Sequence, residues 1–594
     1  MLTSPTSLNG SKTSLTKPPH DRPGRDTAAT RHLCAGVYLD RTFRNQVLRR
    51  VYGDTRHRVA PSYGFDLIPV VDHAWRSWWL DTAHQGFVFL ISAACFALNR
   101  PILVTVMCWL ALIHLARIMA GAAPDFLRLK LRELAARLPL WPWQNRKQAQ
   151  PGQEPEDSQR LKHQTRLLRL GCGSGLALLL VSVIAAGWGD NHPADGAETA
   201  LRMLIVFACS AAGAAALRQL FLNRVHHAPV LRRHRLSRRQ KIIDEQQRHT
   251  YVVYHRPKSE KDDAWPRFDP FERKPTIFVG SGQLVHRWTP MVIPLLRPKD
   301  EHPEKKGLSK REHDEPPFRT HELIDHLRGA MLTVSDPADP RRLHLEVRDR
   351  VFLDERDVPE RRDFLTGRMR PDQLQRIIDD PYQKAQHFLE IRVSTSGELV
   401  TTIFLNASIR GRSLSLYFAA CSLTRTPFDY QVLNLFAESG RGAVLRAALR
   451  ALGRLPEETA RVWRLIELPL ILGPAMLAGR DRTLRPRRKV LIGSRFSVRE
   501  EKSLRWKDSW FDEPMIHGEI RLIERRLLKA VEEFLESKNV DTSDFKKNAE
   551  NIINNNGVLN MGGRLEMHQS VVGANAQIQF HAPAYAGAAQ QNEG

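Results

Sequence analysis

The stretch "PILVTVMCWLALIHLARIMAG", residues 101–121, is apolar over most of its length. A helix that crosses a bilayer needs about 20 predominantly apolar residues. This stretch has that length, and a strongly basic sequence follows it. It therefore predicts a transmembrane helix, from which the rest of the chain can be placed.

Three more apolar stretches lie close by, at residues 84–98, 170–188 and 200–222. The one at 84–98 reaches a spanning length only together with the preceding "WWLDTA". The last two contain "GCGSG" and "SAAGAAA", and small residues let transmembrane helices approach closely. We therefore expect four transmembrane helices in two hairpins. The alternative is a set of buried helices in a soluble domain, which the charged flanks disfavour.

The connecting loops predict the orientation of these helices. The loop 122–168 is rich in Lys and Arg, whereas "GDNHPADGAET", residues 189–199, has acidic residues and neither Lys nor Arg. Lys and Arg collect on the cytoplasmic side of a membrane. We expect a multi-pass protein of the plasma membrane with both termini in the cytoplasm.

Basic residues dominate the 594-residue chain, which has a formal net charge of +24. A cluster directly after the fourth apolar stretch is suited to an anionic inner leaflet; it consists of Arg232, Arg233, Arg235, Arg238, Arg239 and Lys241. Basic residues interleaved with aromatic residues, typical of nucleic-acid binding, are not evident, so we expect no nucleic-acid partner. The six Cys form no CxxC pair, which fits a reducing cytoplasm.

These patterns divide the chain into six parts. We expect a disordered basic arm, a cytoplasmic pre-membrane segment, the transmembrane region, a polybasic segment, a cytoplasmic α+β domain with an antiparallel sheet, and an Asn/Gly-rich tail. The corresponding ranges are 1–35, 36–83, 84–222, 223–250, 251–540 and 541–594.

The clearest sheet signal is at residues 387–423, where apolar and polar residues alternate around the turns "SGE" and "RGRS". This pattern predicts a three-stranded antiparallel meander. Upstream, "TIFVGSGQLVHRW", residues 276–288, predicts a strand, a glycine turn and a second strand. The backbone N–H groups of Gly280, Ser281 and Gly282 are candidates for binding a phosphate, although no helix follows the turn.

No catalytic motif identifies a reaction, and we expect no cofactor. His321 and His326 lie on a predicted helix, but they are five residues apart rather than the four that a zinc-protease helix requires. We therefore predict no metal site and no catalytic residue. The apolar segment 461–479 is too short and too interrupted by proline for a fifth span, and a core or interfacial element is expected there.

The tail contains "NIINNNGVLNMGGRLEMHQSVVGANAQIQF", residues 551–580, which is nearly uncharged and rich in Asn and Gly. High β-propensity, low charge and absence of Pro are typical of segments that stack as cross-β structure, although glycine disfavours it. Three alternatives are open: a disordered tail, a self-pairing module and a small hairpin packed on its own domain. The candidate self-association residues are Asn554, Asn555, Asn556, Gly557, Val558, Asn560, Val571, Val572 and Asn575.

Several segments resemble a family of uncharacterised multi-spanning membrane proteins of actinobacteria. They are "YLDRTFRNQVL", "VAPSYGFDLIPVVDHA", "FVGSGQLVHRW", "NVDTSDF" and "IINNNGVLNMGG". The resemblance implies a location and an architecture, but neither a reaction nor functional residues. The tail is also similar to the short Asn/Gly motifs of bacterial amyloid-signalling proteins, which couple an assembling motif to an effector.

Three function classes follow. The first is a membrane-anchored, non-catalytic signalling or scaffold protein whose tail binds copies of itself or a protein partner. The second is a membrane-permeabilising effector or channel that tail assembly triggers. The third is a membrane-tethered enzyme that uses the turn at 280–282.

Overall fold

The computed structural model describes residues 27–98, 100–137, 156–187, 193–255, 277–288, 290–298, 311–313, 315–334, 345–395, 398–434, 440–485 and 491–554. Most of the predicted basic arm and nearly all of the tail lie outside these residues. Helix α1 begins at Ala28, and its side chains are mostly buried. The last part of the stretch expected to be a disordered arm is therefore helical, because its apolar residues have a core to pack into.

Four long helices carry the apolar stretches. Two shorter elements precede them: α1 (Ala28–Leu39) and α2 (Arg41–Gln46), which a π-helical turn at Val47–Tyr52 continues. The long helices are α3 (Leu67–Leu98), α4 (Arg100–Arg137), α5 (Glu156–Gly187) and α6 (Pro193–His227).

Among the described residues, three helices are long and apolar enough to cross a membrane: Leu67–Ala97, Arg100–Gly121 and Glu198–His227. Helix α5 contributes a shorter apolar stretch, Leu170–Ala185. Helices that could span a membrane are therefore present as expected, whereas the count of four stays a prediction.

Helices α4 and α5 form an antiparallel pair that glycine allows to pack closely. A Cβ atom built on Gly171 would lie 2.5 Å from Sδ of Met119, and one built on Gly175 would lie 3.4 Å from Cδ2 of Leu115. The apolar stretch of α5 consequently runs beside the apolar part of α4. Small residues permit this approach where larger side chains would separate the helices.

Helices α3 and α6 continue from apolar, exposed surface into a buried core. Phe87, Leu90 and Phe96 on the second half of α3 are about half exposed or more. Earlier residues of the same helix are buried together with the end of α6, with α1 and with α7 (Arg238–Arg248). Each of the two helices is thus continuous, with one part in the buried core and the other part presenting exposed apolar side chains.

After α7, the described residues form one seven-stranded sheet and a further set of helices. The strands are β1 (Tyr251–Tyr254), β2 (Gln283–Arg287), β3 (Met291–Pro294), β4 (Leu345–Asp354), β5 (Gln386–Thr395), β6 (Leu399–Arg410) and β7 (Ser413–Leu423). The helices are α8 (Thr320–Leu332), α9 (Pro371–Asp379), α10 (Arg441–Gly453), α11 (Leu455–Ala460), α12 (Leu468–Met476), α13 (Val498–Glu501), α14 (Glu513–Ser537) and α15 (Ser543–Asn554).

The sheet order is β1-β4-β5-β6-β7-β2, and β3 also pairs with β7. The meander predicted at 387–423 is confirmed as β5, β6 and β7, which pair antiparallel. Only β1, which runs parallel to β4, departs from the antiparallel pattern among the described strands. Residues 277–282 form a turn that leads into β2, where the sequence pattern predicts a first strand.

Each face of the sheet is covered. Helices α8 and α14 pack on one face through a large apolar core, in which Leu327, Ile391 and Leu527 are fully buried. The other face holds Phe404, which stacks on Phe278 with ring centroids 4.2 Å apart, and Tyr63 from the segment before α3. The pre-membrane segment is therefore part of the same folded unit as the sheet.

Candidate functional site at the membrane–core junction

The side chain of Asp81 ties three helices together where α3 passes from the core toward its apolar half. Nη1 of Arg44 on α2 donates to Oδ2 of Asp81 at 2.7 Å. Nη2 of Arg41 reaches the same oxygen at 3.0 Å, and Nη2 of Arg218 on α6 donates to Oδ1 at 2.6 Å. One carboxylate thus holds guanidinium groups from two other helices.

This ion cluster is largely shielded from water. The Asp81 and Arg44 side chains are 7% and 5% exposed. Nη1 of Arg44 also donates to Oγ of Ser77 at 3.1 Å, one turn before Asp81 on α3. Charge-assisted hydrogen bonds in a low-dielectric site are stronger than exposed ones, and removing one partner of a buried pair costs about 3 to 5 kcal/mol. The cluster therefore fixes the relative position of the helices.

A second polar contact lies one turn further along α3. Oγ of Ser210 on α6 and Nδ1 of His84 are 3.0 Å apart. Asp81 and His84 are three residues apart on a helix, so they share a face. Helices α3 and α6 are consequently joined by polar contacts at two successive levels.

A small cavity adjoins the ion cluster. Its volume is about 30 Å³, and Arg41, Asp81, Gln85, Arg464 and Glu467 are among its lining residues. A cavity of this volume is large enough for a water molecule. The observed role of the junction is to hold α2, α3 and α6 together through the Asp81 ion pairs.

The chain after the sheet wraps around this junction. We name residues 441–477, from the start of α10 to just after α12, the collar. Helix α10 packs against α6, α11 packs against α4 and α6, and the 3₁₀ helix at Arg461–Glu467 packs against α3. Oε2 of Glu467 accepts from Nδ2 of Asn45 at 3.4 Å, which connects the collar to α2.

The members of the predicted membrane-surface cluster differ in their exposure. Arg232 forms ion pairs with Asp66 at 2.7 Å and with Asp244 at 2.6 Å. Arg239 is 2% exposed, and its guanidinium group donates to backbone carbonyl groups of the turn after α2. Arg239 is thus buried in the core, whereas Arg232 is 26% exposed and held by its two ion pairs.

The other four members of that cluster are exposed. Arg233 pairs with Asp72 across 3.0 Å but keeps about half of its side chain in solvent. Arg235, Arg238 and Lys241 are exposed as well. These four residues are the most exposed members of the cluster, and their contact with an anionic surface stays a prediction.

The glycine turn at 280–282 is built into the core. Gly280 and Gly282 have φ values of 93° and 96°, which favour glycine, and Ser281 is fully buried. A Cβ atom on Gly282 would lie 2.2 Å from the carbonyl oxygen of Ser422 on β7. The N–H group of Gly280 donates to the Glu500 carboxylate at 2.9 Å, so a phosphate would have to displace that carboxylate.

Buried arginines on the sheet were not anticipated from the sequence. Nε of Arg350 donates to Glu390 at 2.6 Å, and Arg392 lies 2.7 Å from Glu346. Both guanidinium groups lie over the ring of Tyr63, less than 6 Å from its centroid. This network joins the sheet to the pre-membrane segment.

Arg499 from α13 is fully buried on the same side of the protein. Its Nη1 atom donates to the carbonyl oxygen of Tyr63 at 2.7 Å. Burial lowers the pKa of Arg499 to about 10, and Arg392 nearby acts in the same direction. The side chain remains charged at neutral pH and anchors the segment around Tyr63.

The two histidines of the predicted near-miss motif have different partners. Nδ1 of His321 lies 2.8 Å from Asp379 on α9, whereas the ring of His326 packs on Phe534. No group of three or more His, Cys, Asp or Glu residues suited to a metal ion occurs within the described ranges. The self-association residues from Asn555 onward lie outside those ranges, and Asn554 is the last residue of α15.

Residues 288–568 match the family model of the AbeC-like domain. The match covers a little under half of the chain; it begins just after β2 and extends past α15 into the tail. It includes most of the sheet and the collar but none of the four long membrane-region helices. No curated protein and no solved structure matches the chain.

Proposed function

We propose that the protein is a membrane-anchored, non-catalytic signalling or scaffold protein in which the C-terminal tail binds copies of the chain or a protein partner. The observation that supports it most is the continuity of α3 and α6, which extend from apolar surface into the core and are joined there by Asp81. Rigid helices of this kind transmit a displacement, whereas a flexible tether absorbs it. Assembly of the tail would thus displace the parts of these helices that lie in the bilayer.

We further propose four spans, with both ends of the chain in the cytoplasm. The antiparallel packing of α5 on α4 supports a fourth span, since it sets the apolar stretch of α5 at the depth of the α4 span. Helix α1 and the sheet lie at the same end of α3, and the basic residues 232–241 lie there too. The enrichment of Lys and Arg on the cytoplasmic side then favours the inner leaflet of a plasma membrane for that end.

The test uses the full-length protein reconstituted in dye-filled vesicles, beside Asn555→Asp and Val558→Lys variants and a chain that ends at residue 554. We expect the full-length protein to cluster, the altered chains to stay dispersed, and the dye to be retained. Clustering accompanied by dye release would instead favour a permeabilising effector. A full-length protein that remains dispersed at every protein density would contradict the proposal.

A further inference from the structure

The collar exposes an unusual amount of large apolar surface. Leu445, Leu449 and Leu452 are 63%, 58% and 42% exposed, and their spacing places them on one face of α10. Trp463 and Ile466 are 61% and 74% exposed. Single exposed apolar residues are ordinary on a soluble surface, whereas a contiguous group marks an interaction site.

The position of the collar indicates what covers this surface. At the start of α10, the carbonyl oxygen of Gly440 accepts from Asn223, close to the core end of α6. At its other end, the carbonyl oxygen of Gly453 accepts from Arg117, which lies near the end of the apolar span Arg100–Gly121. Helix α10 therefore runs beside α6 from the core to the level of Arg117, near the end of the apolar span of α4.

The charges of the collar agree with that position. Arg446, Arg450 and Arg454 are exposed on or beside α10, next to the leucines. Exposed Leu and Arg side chains together suit the boundary between headgroups and acyl chains, where Leu is buried and Arg reaches the headgroups. An anionic leaflet adds about 1 kcal/mol per basic residue near its surface.

We infer that the collar is an interfacial lipid-binding element that inserts its apolar side chains into the anionic leaflet around the base of the membrane helices. Its contact surface consists of Leu445, Leu449, Leu452, Trp463, Ile466 and Leu470. The inference is independent of what the tail does. It makes the AbeC-like region, to which the collar belongs, a membrane-contacting region in its own right.

The experiment places an environment-sensitive fluorophore on the full-length protein in nanodiscs of phosphatidylglycerol and phosphatidylcholine. The label is attached through Ile466→Cys, with the exposed native Cys172 and Cys209 replaced by Ala. The control is Leu522→Cys on α14, which is 47% exposed and lies on the helix layer over the sheet. Leu470→Cys serves as a second reporter if the first variant fails to fold.

We expect lipids that carry a quencher near the headgroup to quench the collar label about threefold more than the control label, because an interfacial helix is buried about 5–10 Å deep. Lipids with the quencher at the end of the acyl chain should quench it less. Equal quenching of the collar and control labels would overturn the inference. A second result would also overturn it. If the collar label becomes shielded when the protein is concentrated in detergent, but is not shielded by lipid in nanodiscs, the collar contacts a second copy of the chain.

Discussion

Asp81→Asn removes the one carboxylate that holds Arg41, Arg44 and Arg218 together. The substitution keeps the shape of the side chain but leaves three guanidinium groups close together without their counter-charge. The Asp81 side chain is only 7% exposed, so water does not restore the lost interaction. We expect a loss of about 3 to 5 kcal/mol, the range for removing one partner of a buried ion pair.

The assay is the melting temperature of the purified full-length protein in detergent, and we expect a decrease of about 5 °C or more. Asp357→Asn is the matched control. Asp357 accepts from Lys384 at 2.8 Å, but the two side chains are 38% and 70% exposed, and such a pair contributes about 1 kcal/mol or less. Adding Arg218→Gln to Asp81→Asn should recover part of the loss, because one surplus charge is removed. If the Asp81→Asn protein has the same melting temperature as the control, the Asp81 ion cluster does not hold the three helices together.

Three further predictions concern the sheet domain. Gly282→Ala should destabilise the protein more than Gly411→Ala in thermal melts, because both positions have positive φ but only Gly282 would bring a Cβ against backbone; equal losses would contradict this. Burial lowers the pKa of His249 to about 4, below its unfolded value. The contribution of His249 to the free energy of unfolding is therefore fully present above about pH 6.5, and up to about 3 kcal/mol of it is lost as the pH falls toward 4. His249→Asn should flatten that pH profile of melting temperature, and an unchanged slope would assign it to other groups. Burial raises the pKa of the Glu519 carboxyl, although Thr hydroxyl groups that donate hydrogen bonds to it act in the opposite direction. The folded protein therefore favours the protonated carboxyl, and stability is lost as the pH rises through the folded pKa. Glu519→Gln should therefore melt higher than the wild type at pH 7, with the difference closing near pH 4, and a lower melting point at pH 7 would contradict the argument.

The elements with a strong local period were predictable from the sequence. The meander at 387–423 alternates with period two, and the amphipathic helix at 513–537 buries residues at helical spacing, so each pattern determines its own structure. The apolar stretches likewise predict helices that could cross a membrane, and three are long and apolar enough, whereas the stretch at 170–188 gives only the shorter Leu170–Ala185. These signals lie within single segments and need no knowledge of distant partners.

The junction and the buried arginines were not predictable, because their partners are distant in sequence. Arg218 finds Asp81 across 137 residues, and Arg239 finds the carbonyl of Val51 across 188. A basic run beside an apolar stretch therefore suggests a membrane surface, whereas Arg239 of that run is buried in the core and Arg232 is held by two ion pairs. On β4, Arg350 suggests a solvated strand until Glu390 from β5 is seen opposite its guanidinium group.

The glycine turn illustrates the same limit. "FVGSG" has the composition of a phosphate-binding loop, but the spacing alone cannot reveal that Glu500 lies 2.9 Å from the N–H group of Gly280. The close approach of Gly282 to β7 explains the glycine without a ligand. Composition identified the position that requires glycine, whereas tertiary packing determined the reason.

Hydrogen–deuterium exchange of the full-length protein in lipid nanodiscs tests the central claim most directly, namely that α3 and α6 are unbroken between bilayer and core. The informative peptides cover residues 75–90 and 207–225, which include Asp81 and Arg218. The account predicts slow exchange throughout both peptides, with no fast-exchanging break at the junction. Exchange at the junction as fast as in the exposed loop around Glu360 would mean that a hinge separates the membrane helices from the core, and would contradict the account.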